Sequence, residues 1–427
     1  MSAANDLNTP EPVRIDDYAA PRFPPEVAEA IEGAKALDDL LDYSVEGVVA
    51  QARGELQAAG IAEPDAGPDD YLGRMQLLFN AFWEHPRLSH MGRISLHTMF
   101  VQMTRNRMLL EDLLARHPEI HDIEIDRPIV IAGLPRTGTT HLQQLLAADP
   151  HLRSLPYWES LEPIPMPTDV ARADGRDGRW DRTNAACEFM DLAMPYFKRM
   201  HEMSADHVHE EIQLLAVDFS SMFFEPLAPI PRWRDDFLAR DQTPHYEYMK
   251  TVLKAMSFLR GGSKRWMLKS PQHLEQFVAL RNVFGDATVV VTHRDPVAVT
   301  VSMATMAAYA ARMQMDPVDP VEIGDYWSDR VTRMLGAAVR DRDVLAAERS
   351  IDVRFDDFMA DQWGILEAIY QVADQPRSPE TVAAQRAYLD SHGRARHGSV
   401  IYEADTLGID PDALRGSFAD YTARFLA

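Results

Sequence analysis

The chain has 427 residues, with 66 Asp and Glu against 43 Lys and Arg and a formal net charge of −23. That balance excludes a general nucleic-acid binder, which needs a broad basic face, and the lack of any run of ~18 apolar residues excludes a membrane-spanning helix. A single cysteine, Cys187, excludes a disulfide framework and a cysteine zinc cage, and the opening MSAANDLNTPEPVRIDD has no signal-peptide pattern, so a cytoplasmic protein is expected.

Residues 1–25 are Pro-rich and polar and read as an extended arm. Residues 26–120 read as an N-terminal helical layer. Val27, Ile31, Ala34, Leu37 and Leu41 recur at helical spacing and predict one helix over 26–58. Further helices fit 70–84 and 87–116, separated by Pro86, and the loop EPDAGPDD at 63–70 offers Asp69 and Asp70 as caps. Residues 1–70 hold 16 acidic and 4 basic side chains. The remainder is therefore much nearer neutrality and compatible with an anionic small-molecule ligand.

From about residue 121 the pattern becomes α/β. PIVIAGL from Pro128, RWMLKS at 265–270, ATVVVTH at 287–293 and IDVRF at 351–355 read as strands alternating with helices. This predicts a central parallel sheet of four or five strands flanked by helices, spanning 121–427. The segment from about 151 to 262 reads as an insert that builds a substrate pocket. Met203, Met222, Phe223, Phe224, Trp233, Met303, Met306 and Tyr309 are candidates for an apolar acceptor wall, although such residues are equally core formers.

Two segments carry chemistry. The first is Gly133-Leu134-Pro135-Arg136-Thr137-Gly138-Thr139-Thr140, where a buried strand runs into a turn and then a helix. Backbone N–H groups and the positive helix end converge there, with Arg136 and the threonine hydroxyls adding donors. A side chain at Gly138 would be expected to occupy the phosphate's place. Thr139 stands where a P-loop has its lysine, which argues against ATP or GTP hydrolysis. The second is a β run ending at Thr292-His293-Arg294-Asp295-Pro296, with Ser302 two turns into the next helix.

The phosphate loop, Leu268-Lys269-Ser270-Pro271, and a strand ending in Arg294 with Ser302 eight residues on, in this order, resemble the sulfotransferases that use 3′-phosphoadenosine 5′-phosphosulfate (PAPS), in particular a bacterial branch with the loop G-L-P-R-[ST]-G-T-T. The resemblance covers roughly residues 125–410. It implies a P-loop-like α/β fold and transfer of a sulfuryl group from PAPS to a hydroxyl of a small, lipophilic or aromatic acceptor, with PAP as product and no metal. It further implies that Arg136, Thr137, Gly138, Thr139 and Thr140 hold the 5′-phosphosulfate, that Arg294 and Ser302 hold the 3′-phosphate, and that Lys269 sits near the bridging oxygen. Phe355 would stack on adenine, and Arg394 and Arg396 lie in the segment expected to close over the 3′-phosphate.

Two residues compete for general base. Glu159 follows the loop after a helix and is flanked by Tyr157 and Trp158, and His273 lies four residues past Lys269. Glu159 is the favoured one. His207-Val208-His209-Glu210-Glu211 suggests a metal site only weakly, because on a helix His207 and Glu211 would share a face while His209 would not. Two alternatives stay open: a nucleotide kinase or NTPase, and a non-catalytic adenine-nucleotide binder.

Overall fold

A computed structural model describes residues 10–262, 264–392 and 397–427. Its strands are β1 (Ile129–Gly133), β2 (Leu152–Arg153), β3 (Arg265–Ser270), β4 (Thr288–His293) and β5 (Ser350–Arg354). They form one sheet in the order β2-β3-β1-β4-β5, every pair parallel. β1 and β4 are buried along their whole length, as expected of parallel strands covered on both faces. In register, Ala132 lies beside Ser270 and Gly133 beside Thr292, so three strands bring their carboxyl ends to one edge.

The N-terminal helices are α1 (Pro25–Asp38), α2 (Val45–Ala58), α3 (Asp70–Trp83) and α4 (His90–Arg116). Residues 26–58 are thus two helices rather than one. The break falls at Asp39–Ser44, where the Ser44 hydroxyl accepts from the Gly47 N–H at 2.9 Å and caps α2. Asp69 occupies the N-cap of α3 but its side chain makes no capping bond, and Asp70 instead pairs with Arg74 one turn on. The two-residue β2 is too short to show in the sequence pattern.

Alternation along β1 divides the interior. Val130 and Ala132 face a large core shared with α2, α3 and α4, in which the Phe100 ring meets Phe79, Phe219 and Phe224 edge-on. Ile129 and Ile131 face a smaller core with Leu142, Val290 and Tyr370. Buried charges tie the layers together. Asp218 accepts from Arg74 and Arg107, each at 2.5 Å, linking α3 and α4 to the insert. Arg330, fully buried on the Pro320–Asp341 helix, forks onto Glu275 at 2.5 and 2.6 Å and also bonds Glu225. Part of the N-terminal arm is held as well: Val13 pairs with Val400, donating to Ser399 and accepting from Ile401. Cys187 is buried, which pushes its thiol up to about 11 and leaves it unreactive. Among the described residues no helix is long and apolar enough to cross a membrane.

Candidate active site

The turn after β1 leads into α5 (Thr139–Ala147). Gly133 is required by packing, since a Cβ there would lie 1.9 Å from the Thr292 hydroxyl. Arg136 and Gly138 both take left-handed backbone, with φ of 70° and 83°. That conformation is strained for an arginine and persists where the surroundings fix it. Gly138 is the N-cap of α5 and offers no capping side chain, so the first N–H groups of the helix remain available to an anion. A Cβ on Gly138 would meet the Phe355 ring at 3.0 Å. The glycine therefore makes room for that ring, where the sequence suggested room for the phosphate itself. The Thr137 hydroxyl is spent inside the turn, bonded at 2.7 Å to the Leu134 carbonyl and at 2.7 Å to the Thr292 hydroxyl. Thr139 is buried at the helix start, with Thr140 half-buried beside it.

Arg136 donates from Nε to the Ser302 hydroxyl at 3.1 Å, and from its other nitrogens to the Met200 carbonyl and the Tyr402 hydroxyl. Arg294 donates to the Arg136 carbonyl at 2.5 Å and lies over the Phe355 ring, 4.1 Å from its centroid. Phe355 opens the helix after β5 and does not belong to the strand. Arg136, Gly138, Arg294, Ser302 and Phe355 are thus brought together. Among the described residues no carboxylate forms an ion pair with either guanidinium. Burial, with Arg136 adding repulsion, pushes the Arg294 pKa down. Two adjacent cations with no carboxylate ion-paired to either would suit an anion. Arg394 and Arg396 lie outside the described residues.

Lys269, at the carboxyl end of β3, is almost wholly buried and paired with Glu210. Its backbone N–H donates to Glu211 at 2.8 Å. Glu211 also bonds His273, whose other ring nitrogen is 2.8 Å from the Tyr246 hydroxyl. His273 is fully buried between these two partners, so it holds Glu211, which in turn holds the Lys269 backbone.

Glu159 lies elsewhere. It sits on α6 (Tyr157–Leu161), buried, and accepts from Arg260 Nε at 2.6 Å. Burial pushes the nearby Arg153 down and the Glu159 charge partly restores it. Arg153 pairs with Trp266 on β3, three residues and roughly 10 Å before Lys269. Tyr157, two residues before Glu159 and so on the opposite side of the helix, packs against His209 with ring centroids 4.6 Å apart. The structure therefore turns Tyr157, not Glu159, toward the residues around Lys269.

The segment His207–Glu211 is not a helix, which corrects the reading made from the sequence. It runs irregularly, with Val208 bridged to Pro156, and the next helix starts only at Ile212. This conformation gathers His201, His207 and His209, whose ligating nitrogens all lie within 4.8 Å of one another. Burial, then the neighbouring imidazoles and the Lys269 charge, push His201 and His209 well below the usual range. Burial and Lys269 push His207 down to about 4. Arg136 also lowers His201, so that imidazole feels both of the catalytic cations expected from the sequence. Three neutral imidazoles could hold a divalent ion, although the facing Lys269 and Arg136 charges oppose a cation. His201 escaped sequence reasoning because it lies in no motif, and Tyr402 because it arrives from the far end of the chain. The histidine doublet was visible but was given the wrong local conformation.

A family model described as "Sulfotransferase family" matches residues 128–379, and the chain belongs to that family. The fold is similar to sulfotransferase STF1 from Mycobacterium tuberculosis, with 26% identity and a TM-score of 0.76, covering 88% of this chain and 98% of that one. It is also similar to sulfotransferase STF9 from Mycobacterium avium, with 26% identity and a TM-score of 0.78, covering 90% and 97%. A comparison with curated proteins gave no match.

Proposed function

We propose that this transferase moves a sulfuryl group from PAPS to a hydroxyl of a small acceptor. The observation that carries the reading is the pair Arg136 and Arg294, neither ion-paired to a carboxylate among the described residues, at the uncapped start of α5, with Ser302 and Phe355 beside them. Such a set fits a nucleotide with two separated anionic groups. Arg136, the α5 N–H groups, Thr139 and Thr140 would hold the 5′-phosphosulfate, Arg294 and Ser302 the 3′-phosphate, and Phe355 the adenine. Arg394 and Arg396 are proposed to close over the 3′-phosphate. PAPS supplies the sulfuryl group when bound.

The chain's own residues do the rest by positioning and charge. Lys269, fixed by Glu210 and by the Glu211–His273 pair, neutralises charge on the leaving phosphate oxygen. An unprotonated ring nitrogen of His201 takes the proton from the acceptor hydroxyl. The acceptor oxygen forms its bond to sulfur as the bridging oxygen departs on PAP. His201 replaces Glu159 in this role because Glu159 is engaged by Arg260. Incubation with PAPS and a panel of phenols and alcohols, read by mass spectrometry, tests the reading. A gain of one sulfuryl group on an acceptor, with release of PAP, is expected. PAPS binding with no sulfated product from any acceptor would refute it.

A further inference from the structure

Between α4 and α6 lies a cavity of about 210 Å³. Met99, Met103 and Phe223 give it apolar walls, and Asn106, Gln213 and Tyr157 complete it. None of its lining residues carries a formal charge. Its inner wall backs onto the histidine cluster, because the lining residues Tyr157 and Gln213 both touch His209, Tyr157 by a tilted ring contact at 4.6 Å and Gln213 with its amide nitrogen 3.4 Å from the ring. Of the acceptor-wall residues suggested by the sequence only Phe223 lines this cavity, whereas Met222, Phe224 and Trp233 belong to the core.

Two amide oxygens on this wall are notable. Asn106 donates from Nδ2 to the Leu161 carbonyl at 2.7 Å, which fixes the amide and leaves Oδ1 at its other end. Gln213 turns its nitrogen to His209, leaving Oε1. Both residues are at most 5% exposed, and among the described residues no protein donor reaches either oxygen. Buried carbonyl oxygens are almost always paired, so two unpartnered ones on residues lining one cavity offer acceptors to a molecule inside it. The volume is below the roughly 300–1,000 Å³ of drug-sized sites.

We infer that this cavity is the acceptor site and that it takes a small neutral molecule carrying a hydrogen-bond donor, an amide N–H or a second hydroxyl, in addition to the hydroxyl that receives the sulfuryl group. The inference rests on the sulfuryl-transfer reading for the identity of that hydroxyl. It narrows the lipophilic or aromatic acceptor expected from the sequence to an amphiphilic one. An uncharged wall excludes carboxylates and amines, which would be desolvated without a partner. A site built to bond a donor rejects the analogue that lacks it, because its own oxygens are then left unpaired.

Two matched pairs of phenols test this. N-acetyltyramine is compared with its N-methyl derivative, and 4-(2-hydroxyethyl)phenol with its methyl ether. Tyramine and 4-hydroxyphenylacetate serve as the cation and the anion. Binding is measured by calorimetry on the full chain without PAPS, and sulfation as kcat/KM. The donor-bearing member of each pair should bind and react at least about tenfold better than its methylated partner, and better than either charged phenol. Gln213→Met should shrink that ratio. Equal behaviour within both pairs, preference for a charged phenol, or no binding of any probe at millimolar concentration overturns the inference. Sulfated product without the pairwise preference sinks this inference alone. Pairwise binding preference with no sulfated product from PAPS sinks the transfer reading and leaves the cavity's ligand class standing.

Discussion

Arg294 donates to the Arg136 carbonyl at 2.5 Å, so the cation proposed for the 3′-phosphate also braces the loop proposed for the 5′-phosphosulfate. The two ends of the nucleotide would thus be read by one connected unit. Arg294→Ala should weaken PAP by about 1.5–3 kcal/mol, the usual loss for a charge-assisted bond. Adenosine 5′-phosphate, which has no 3′-phosphate, should weaken too, but less, through the slackened loop. Calorimetry with both ligands decides. Equal losses would make Arg294 a purely structural brace.

The proposed base is tested by contrast. His201→Gln should retain PAP binding and cut turnover by roughly 10²–10⁴-fold. Glu159→Gln should change turnover only a few-fold, while the weakened bond to Arg260 lowers the melting temperature. The reverse order would restore Glu159 as the base.

Acid should weaken the fold through the same cluster. Burial and Lys269 push His207 down to about 4, so the folded chain resists a proton that the unfolded chain accepts near 6.5. Between those values the unfolded state binds more protons, and stability must fall as the pH drops through that window. His207→Gln removes its share. The slope of melting temperature against pH between about 6.5 and 4 should become shallower. An unchanged slope would mean that His207 is not held neutral in the folded state.

Arg330 is fully buried and holds Glu275 and Glu225 together. Glu275 ends the short helix that follows Lys269 and contains His273. Arg330→Leu leaves two buried carboxylates without their cation and should cost about 3–5 kcal/mol in denaturant unfolding. A loss below about 1 kcal/mol would show that the carboxylates protonate or reach water instead.

The sheet was legible because parallel strands covered on both faces are continuous apolar runs, as in Ile129–Ala132 and Val289–Val291. The grouping of Arg136, Arg294, Ser302 and Phe355 was legible because they lie within short motifs. Arg136 and Ser302 meet because each motif follows a strand and the strands are neighbours. What the sequence hid depends on contacts between distant segments. Ser44 breaks a helix that apolar spacing alone would continue. Glu159 has the right neighbours in sequence but an arginine, Arg260, in space. His209 looked like a helical residue because its pairing with the segment around Pro156 has no local signature.

The pairing of Val13 with Val400 and the contact of Tyr402 with Arg136 also set an order of events. During synthesis the phosphate loop emerges long before the segment that completes its surroundings. The early arm finds Arg199 and Arg312 partway through synthesis, through Glu11 and Asp17, but its pairing with Val400 waits until nearly the whole chain is made. Joining such remote segments is slow compared with forming helices. The surroundings of Arg136 are therefore completed only after the sheet, so a ribosome-bound chain that has already built its sheet still lacks part of the proposed nucleotide site.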